Sequence, residues 1–457
     1  MARTKSNAAA MMLLIAMLAG CATKCFVGPS HGCYRDVMLR TPHSHGTIVH
    51  RMRAMHNKRC ISGPLMLSQV AVVQAIRGLA SPSAAESSLQ LGVDPGRFEV
   101  ASEWLADGNV AFSLPLQEGG SLEVTAHPAT ASEGLLSGMS PNTTQEWRVL
   151  RFQTGQGESN LIQSVAKVFV LPKTAQGEPL RQRGDCLPLV FYKSLVSAAL
   201  AALVLVRSGS ETSDLSTVAW TLKRAHLRIL CIGLGGGTIP SYLSHMLPES
   251  EVDVVELEPA VVRAASEAMG FVPSTRLRVS VDDGAAFALR MANNVRAASS
   301  MASANATSYD VVVVDAFSGQ GDVPESLTSP NGDFARALAT GLVKKHGGVL
   351  AVNLLPRSDP APLLGTYRGA FQDANALGSF FFVQEPGRTF DGKLAERTGN
   401  YILVQTSLGG PEITSIETLR GWLQNAAEAV QAAFSVPFNM VELVGGSDET
   451  WPLGRQS

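Results

Sequence analysis

Between Leu227 and Thr406 short apolar runs alternate with stretches of helical period, and no other feature of the 457-residue chain limits its fold so tightly. The expected strands are Leu227 to Ile232, Val252 to Glu256, Leu277 to Val281, Tyr309 to Asp315, Val349 to Leu354, Phe380 to Gln384 and Tyr401 to Thr406. The expected helices between them are Thr238 to Leu247, Pro259 to Met269, Gly284 to Ala292, Gly332 to Lys345 and Ala361 to Leu377. Continuously apolar strands, most of them followed by a helix, predict a parallel sheet covered on both faces, a doubly wound α/β domain. The last two strands have no helix between them, which predicts that the final one runs antiparallel. The Ala, Ser and Asn tract from Ala292 to Ser308 reads as a mobile surface insertion.

A small β unit is expected ahead of this domain. Brief alternating runs at Val110 to Leu114 and Ser121 to Val124, then Trp147 to Phe152 and Leu161 to Leu171, are separated by Gly, Ser and Pro. Leu187 to Val206 is long and apolar enough for a membrane span, but Lys193 inside it and the β-α pattern that follows favour a buried helix. Ile416 to Phe434 has the period of an amphipathic cover helix. The expected organisation is a leader over 1–85, a β-rich unit over 86–185, the α/β domain over 186–410, and a C-terminal helix and tail over 411–457.

The leader is set apart by charge. It holds ten lysines and arginines against one acid, Asp36, so the net charge of −2 for the whole chain hides a basic front. Ala8 to Ala22 follows Arg3 and Lys5 and reads as the apolar core of a signal peptide, with the Ser- and His-rich basic stretch behind it resembling a transit sequence. Cys25-Phe26-Val27-Gly28-Pro29 resembles the aromatic motif of bipartite plastid presequences, which predicts delivery to a plastid through the secretory route. Leu18-Ala19-Gly20-Cys21 resembles a bacterial lipobox, the rival expectation. Four of the six cysteines lie in the leader, leaving Cys186 and Cys231 for the body, so no disulfide framework is expected there. The cysteine and histidine spacings match no zinc pattern, and no metal site is expected. Asn142-Thr143-Thr144 and Asn305-Ala306-Thr307 are glycosylation sequons that matter only in the secretory path. At 17% charged residues the composition is not that of a polybasic nucleic-acid binder.

Chemistry concentrates at the strand ends of the α/β region. Gly233-Leu234-Gly235-Gly236-Gly237-Thr238 follows the first strand and opens a helix, so backbone can approach a ligand closely and free N–H groups face negative charge. The dinucleotide pattern needs a third glycine where Thr238 stands, which argues against NAD. The next three strands end in acids: Glu256, then Asp282-Asp283-Gly284, then Asp315. Each alone suits a helix N-cap; three in order suit a nucleoside-type ligand across the carboxyl ends of the sheet.

This series resembles the class I S-adenosylmethionine-dependent transferases, whose sheet has seven mostly parallel strands. Ile232 to Gly237, Val255-Glu256-Leu257-Glu258, Asp282-Asp283-Gly284 and Val313-Val314-Asp315-Ala316-Phe317-Ser318-Gly319 carry the resemblance. It is strongest with the spermidine-synthase-like branch, which includes the carboxy-terminal domain of the eukaryotic elongation-factor lysine and N-terminal methyltransferase, and it covers about Gln153 to Leu408. The resemblance implies that Gly233, Gly235 and Gly237 pass the methionine part of S-adenosylmethionine. It implies that Glu256 holds the ribose, that Asp283 with Gly284 meets the adenine amino group, and that Gln163 of Asn160-Leu161-Ile162-Gln163-Ser164 sits by the cofactor. Asp315 would face the reacting centre as the catalytic carboxylate. Polyamine aminopropyltransferases of this branch carry an acid after the triple glycine, where Thr238 stands, and a second acid three residues after the first, where Ser318 stands. Asp322 and Glu325 are possible replacements. The resemblance thus implies methyl transfer to an amine of a protein or small molecule, with aminopropyl transfer from decarboxylated S-adenosylmethionine or a non-catalytic binding role as alternatives. It also implies a homodimer paired through the β unit.

Overall fold

The computed structural model describes residues 94, 108–116, 120–129, 143–153, 162–172, 179–209, 214–297, 307–317, 323–328, 331–355, 361–384, 400–409 and 415–445. The whole expected leader, both sequon asparagines, Ser318 and Asp322 lie outside these residues. Residues 88–457 group into one compact unit.

Five strands form a first, antiparallel sheet in the order β1-β2-β3-β4-β5: β1 (Asn109–Pro115), β2 (Ser121–Pro128), β3 (Thr144–Gln153), β4 (Ile162–Val170) and β5 (Leu180–Gln182). Helix α1 (Val190–Arg207) follows. It is apolar enough to cross a membrane, yet 83% of it is buried inside the protein, as Lys193 foreshadows. That lysine pairs with Asp94 at 2.6 Å and lies 5.3 Å over the Phe438 ring. Helix α2 (Leu215–Lys223) leads to β6 (Arg228–Ile232), α3 (Thr238–Met246), β7 (Glu251–Glu256), α4 (Pro259–Ala268), β8 (Leu277–Val281), α5 (Gly284–Ala297) and β9 (Val311–Val314). Two short helices, α6 (Glu325–Thr328) and α7 (Asp333–Ala337), precede β10 (Val349–Leu354), α8 (Ala361–Asp373), β11 (Phe380–Gln384), β12 (Tyr401–Thr406), α9 (Ile416–Phe434) and α10 (Met440–Gly445).

The second sheet has seven strands in the order β11-β12-β10-β9-β6-β7-β8. From β8 to β10 all neighbours are parallel, and β12 runs antiparallel to both β10 and β11. This is the doubly wound, mostly parallel sheet of the class I methyltransferase type, with the antiparallel last strand as expected. The two-residue period of a strand divides each apolar run between two cores. Ile229, Cys231, Val311 and Val313 face α1, α9 and the first sheet, while Leu230, Ile232, Val312 and Val314 face α5, α7 and α8.

Two expected helices are cut short. The stretch from Gly332 to Lys345 divides into α7 and a π-helical turn over Leu338–Leu342, because Gly341 comes so close to α5 that a Cβ there would lie 2.6 Å from the Ala292 Cα. Helix α8 stops at Asp373, short of Leu377, since Asn375 takes the left-handed conformation at φ 48°. Part of the expected insertion is regular: α5 runs on to Ala297, and Ser308 is buried.

Candidate active site

The order of the sheet reverses between β6 and β9, and a cleft of about 260 Å³ opens there outside the carboxyl ends of the strands. Its wall includes Gln163, Gly233, Gly235, Glu256, Asp283, Gly284 and Asp315, so seven of the eight positions named from the sequence meet in one place. Gly237 does not line it. At φ 79° it caps α3, and a Cβ there would fall 2.3 Å from the Phe271 ring, so its task is the turn and the packing beneath it.

The turn after β6 is held from two sides. Gly233 donates its N–H to the Val255 carbonyl at 2.8 Å, and Asp315 donates its own to the Ile232 carbonyl at 2.9 Å. A side chain at Gly233 would place Cβ 2.2 Å from the Asp315 backbone oxygen, so the two strand ends touch only because this residue is glycine. From the first sheet, Ser164 Oγ accepts the Gly236 N–H at 2.9 Å, and Gln182 Nε2 donates to the Gly236 carbonyl. Thr238 Oγ1 donates to the Val165 carbonyl at 2.8 Å, and Ser241 Oγ donates to Gln182 Oε1 at 2.7 Å.

Glu256 reaches back over this turn. One carboxylate oxygen accepts the Leu234 N–H at 2.8 Å and the other accepts the Glu258 N–H at 2.9 Å. Enclosure by protein pushes this carboxyl above the usual range, against the pull of those donors. The N–H groups of Gly235 and Leu257 also act on this carboxylate, so the turn after β6 is gathered around it. Asp283 does two jobs: it lines the cleft, and its Oδ1 accepts the Ala286 N–H at 2.7 Å in the first turn of α5. Asp282 points elsewhere and pairs with Arg290.

Asp315 keeps part of its surface in the cleft, but enclosure raises its carboxyl from 3.8 to about 6, with a hydrogen bond from Asn353 pulling the other way. Asn353 Nδ2 donates to Asp315 Oδ1 at 2.8 Å, and Asn400 Nδ2 donates to Asn353 Oδ1 at 3.0 Å. Tyr192 completes this end of the wall, its hydroxyl joined to Ser164 Oγ at 2.8 Å. Sequence reasoning misses Tyr192, Asn353 and Asn400. Asn353 left a signal, a lone amide near the end of the apolar run Val349 to Leu354; Tyr192 left none. Glu325 is exposed and outside the cleft wall, while its neighbours Pro324 and Ser326 belong to it. Among the described residues no cluster of metal-ligating side chains occurs.

S-adenosylmethionine needs close backbone approach, an acceptor for a ribose diol and room at a switch point. The glycine turn, the Glu256 carboxylate in the cleft wall and the switch point between β6 and β9 match those needs.

No family model matches the chain. A polyamine aminopropyltransferase of Vibrio vulnificus is 30% identical over 212 residues, 46% of this chain and 58% of that protein. The eEF1A lysine and N-terminal methyltransferase of Mus musculus is 30% identical over 134 residues, 29% of this chain and 18% of that protein. The chain therefore spans less than two thirds of the length of either relative. Among solved structures, a probable spermidine synthase from Corynebacterium glutamicum aligns with 72% of this chain and 94% of its own, at 16% identity and a TM-score of 0.40. The homologues of this chain thus include polyamine aminopropyltransferases and eEF1A lysine and N-terminal methyltransferases, which matches the spermidine-synthase-like branch that its motifs resemble.

Proposed function

We propose that the chain transfers a methyl group from S-adenosylmethionine to an amine held against Asp315. The observation that carries this reading is the company Asp315 keeps. Its side-chain partner is the Asn353 amide, itself bonded by Asn400, and the wall adds Tyr192 and apolar side chains such as Phe191, Phe317 and Leu355, while the other carboxylates of the wall, Glu256 and Asp283, are bonded to backbone N–H groups at the ends of β7 and β8. Thr238 supports the same choice. It stands where the polyamine enzymes carry an acid, and its hydroxyl is spent on the Val165 carbonyl.

When bound, S-adenosylmethionine supplies a methyl carbon on a positively charged sulfur. The residues of the chain do the rest. Gly233, Gly235 and Glu256 bind and orient, so that alignment of the reacting atoms rather than acid–base chemistry supplies most of the acceleration. An amine arrives protonated and must lose that proton, and a carboxylate with a value near 6 is ionised at neutral pH and ready to take it. Asp315→Asn is expected to lower turnover by about 100-fold or more, within the range for a general base, while the dissociation constant for S-adenosylmethionine changes only a few-fold.

Aminopropyl transfer is the second reading, favoured by the 212-residue match to the Vibrio vulnificus enzyme. Calorimetric titration of the full chain with S-adenosylmethionine and with its decarboxylated form separates the two. Preference for the carboxylated ligand, followed by transfer of a labelled methyl group to an amine, supports the proposal. Preference for the decarboxylated ligand with putrescine turnover replaces it, and binding of neither leaves a non-catalytic protein.

A further inference from the structure

We propose that Asn353 is a positioning residue for Asp315: oriented by Asn400, its amide holds one carboxylate oxygen so that only the other faces the acceptor. The inference rests on the methyl-transfer reading above and adds to it which oxygen takes the proton. Strands β9 and β10 pair in parallel with Val314 beside Val352, so the residues that follow, 315 just past β9 and 353 still within β10, lie side by side. Asn353 is only 1% exposed and cannot turn to solvent. An amide has one accepting and one donating end. Asn400 donates to the Asn353 carbonyl oxygen at 3.0 Å, which leaves the NH₂ end for Asp315 Oδ1 at 2.8 Å. Turning either amide over would set two donors or two acceptors against each other, so the chain of three residues has one direction. Asp315 Oδ1 is thereby committed as an acceptor. The N–H bond of the acceptor ammonium breaks, its proton goes to Oδ2, and the electron pair stays on nitrogen.

Other titratable groups face Asp315. Tyr192 from α1 and Cys231 from β6 both sense its charge, and burial drives both well above their usual values, so neither titrates at working pH. Glu256 and Asp283 line the same cleft from the ends of β7 and β8, and an Asp315→Asn background separates their titration from that of Asp315.

The test compares the full chain with Asn353→Leu, Asn400→Ala, and Asp315→Asn alone and combined with Asn353→Leu. In the absence of ligand, Asn353→Leu is expected to lose more stability at about pH 7.5 than at about pH 4.5, because the lost bond favours only the ionised carboxylate. That difference should vanish on the Asp315→Asn background. In methyl transfer, the acid limb of kcat/KM should move up by about one pH unit and the rate near pH 6 fall about 5-fold, with the dissociation constant for S-adenosylmethionine within about threefold. Asn400→Ala should give a smaller shift in the same direction, and it serves if Asn353→Leu does not fold. An equal loss of stability at both pH values, with an unmoved acid limb, would reduce Asn353 to packing. A chain that transfers no methyl group would overturn the enzyme reading, while the unfolding comparison would still decide what Asn353 does for Asp315.

Discussion

Asp315 is ionised at neutral pH in a place that disfavours charge. Its folded value of about 6 lies above 3.8, so the penalty is absent below about pH 4, grows through the interval between the two values, and is full above it. Asp315→Asn should therefore stabilise the ligand-free chain by about 1–2 kcal/mol at pH 7.5, allowing for the part of the carboxylate that meets water in the cleft, and by only a few tenths of a kcal/mol at about pH 4. Urea denaturation at the two pH values reads this directly. The same value predicts an acid limb near pH 6 in the wild-type rate profile, lost in the variant. Gly233 carries a different constraint, at φ 95° with the Asp315 carbonyl directly ahead of it. Gly233→Ala is expected to cost about 2 kcal/mol or more of stability and to abolish ligand binding, because the strand ends must part to admit a methyl group. A thermal melt with and without S-adenosylmethionine checks both effects.

At the scale of elements, acids divide by strand end. At the carboxyl ends of β7, β8 and β9, Glu256, Asp283 and Asp315 face the cleft. At the amino ends acids are consumed by ion pairs. Asp253 and Glu251 on β7 each bond Arg278 at 2.7 Å. Asp310, just before β9, accepts from Arg207 at 2.5 Å, from Lys344 at 2.8 Å and from the Arg228 N–H at 2.8 Å. Asp310→Ala leaves two cations and a backbone donor without that partner and should cost about 3 kcal/mol in denaturant, without a change in the dissociation constant for S-adenosylmethionine. The cleft acids are legible in the sequence because a strand end facing a switch point needs only order and spacing to be recognised. Asn353 and Asn400 are not, because Asn353 joins Asp315 across 38 residues and Asn400 joins Asn353 across 47, separations that only the pairing of β9, β10 and β12 closes. The π-helical turn at Leu338–Leu342 escapes for the same reason, since its cause is Ala292 on another helix.

At the scale of the molecule, the first sheet acts on the second through the glycine turn. Ser164, Val165 and Gln182 hold Gly236, Thr238 and Ser241, although Gln182 never reaches the cleft. Gln182→Ala should weaken S-adenosylmethionine binding about 3- to 10-fold, from the loss of about one hydrogen bond's worth of positioning, with turnover at saturation largely kept. Titration calorimetry checks it, and an unchanged affinity would leave the first sheet a support only. The sequence by itself determined the seven-stranded α/β sheet, its antiparallel last strand and the three acids at its ends, because apolar period and strand-end chemistry are local properties. Tertiary structure alone decided that Gly237 serves packing, that Asp283 is also a cap, and that Asp315 is bonded by the Asn353 amide. These depend on which distant backbone arrives alongside, and that is set by the sheet order and by the residues on its two faces, not by any neighbour in the chain.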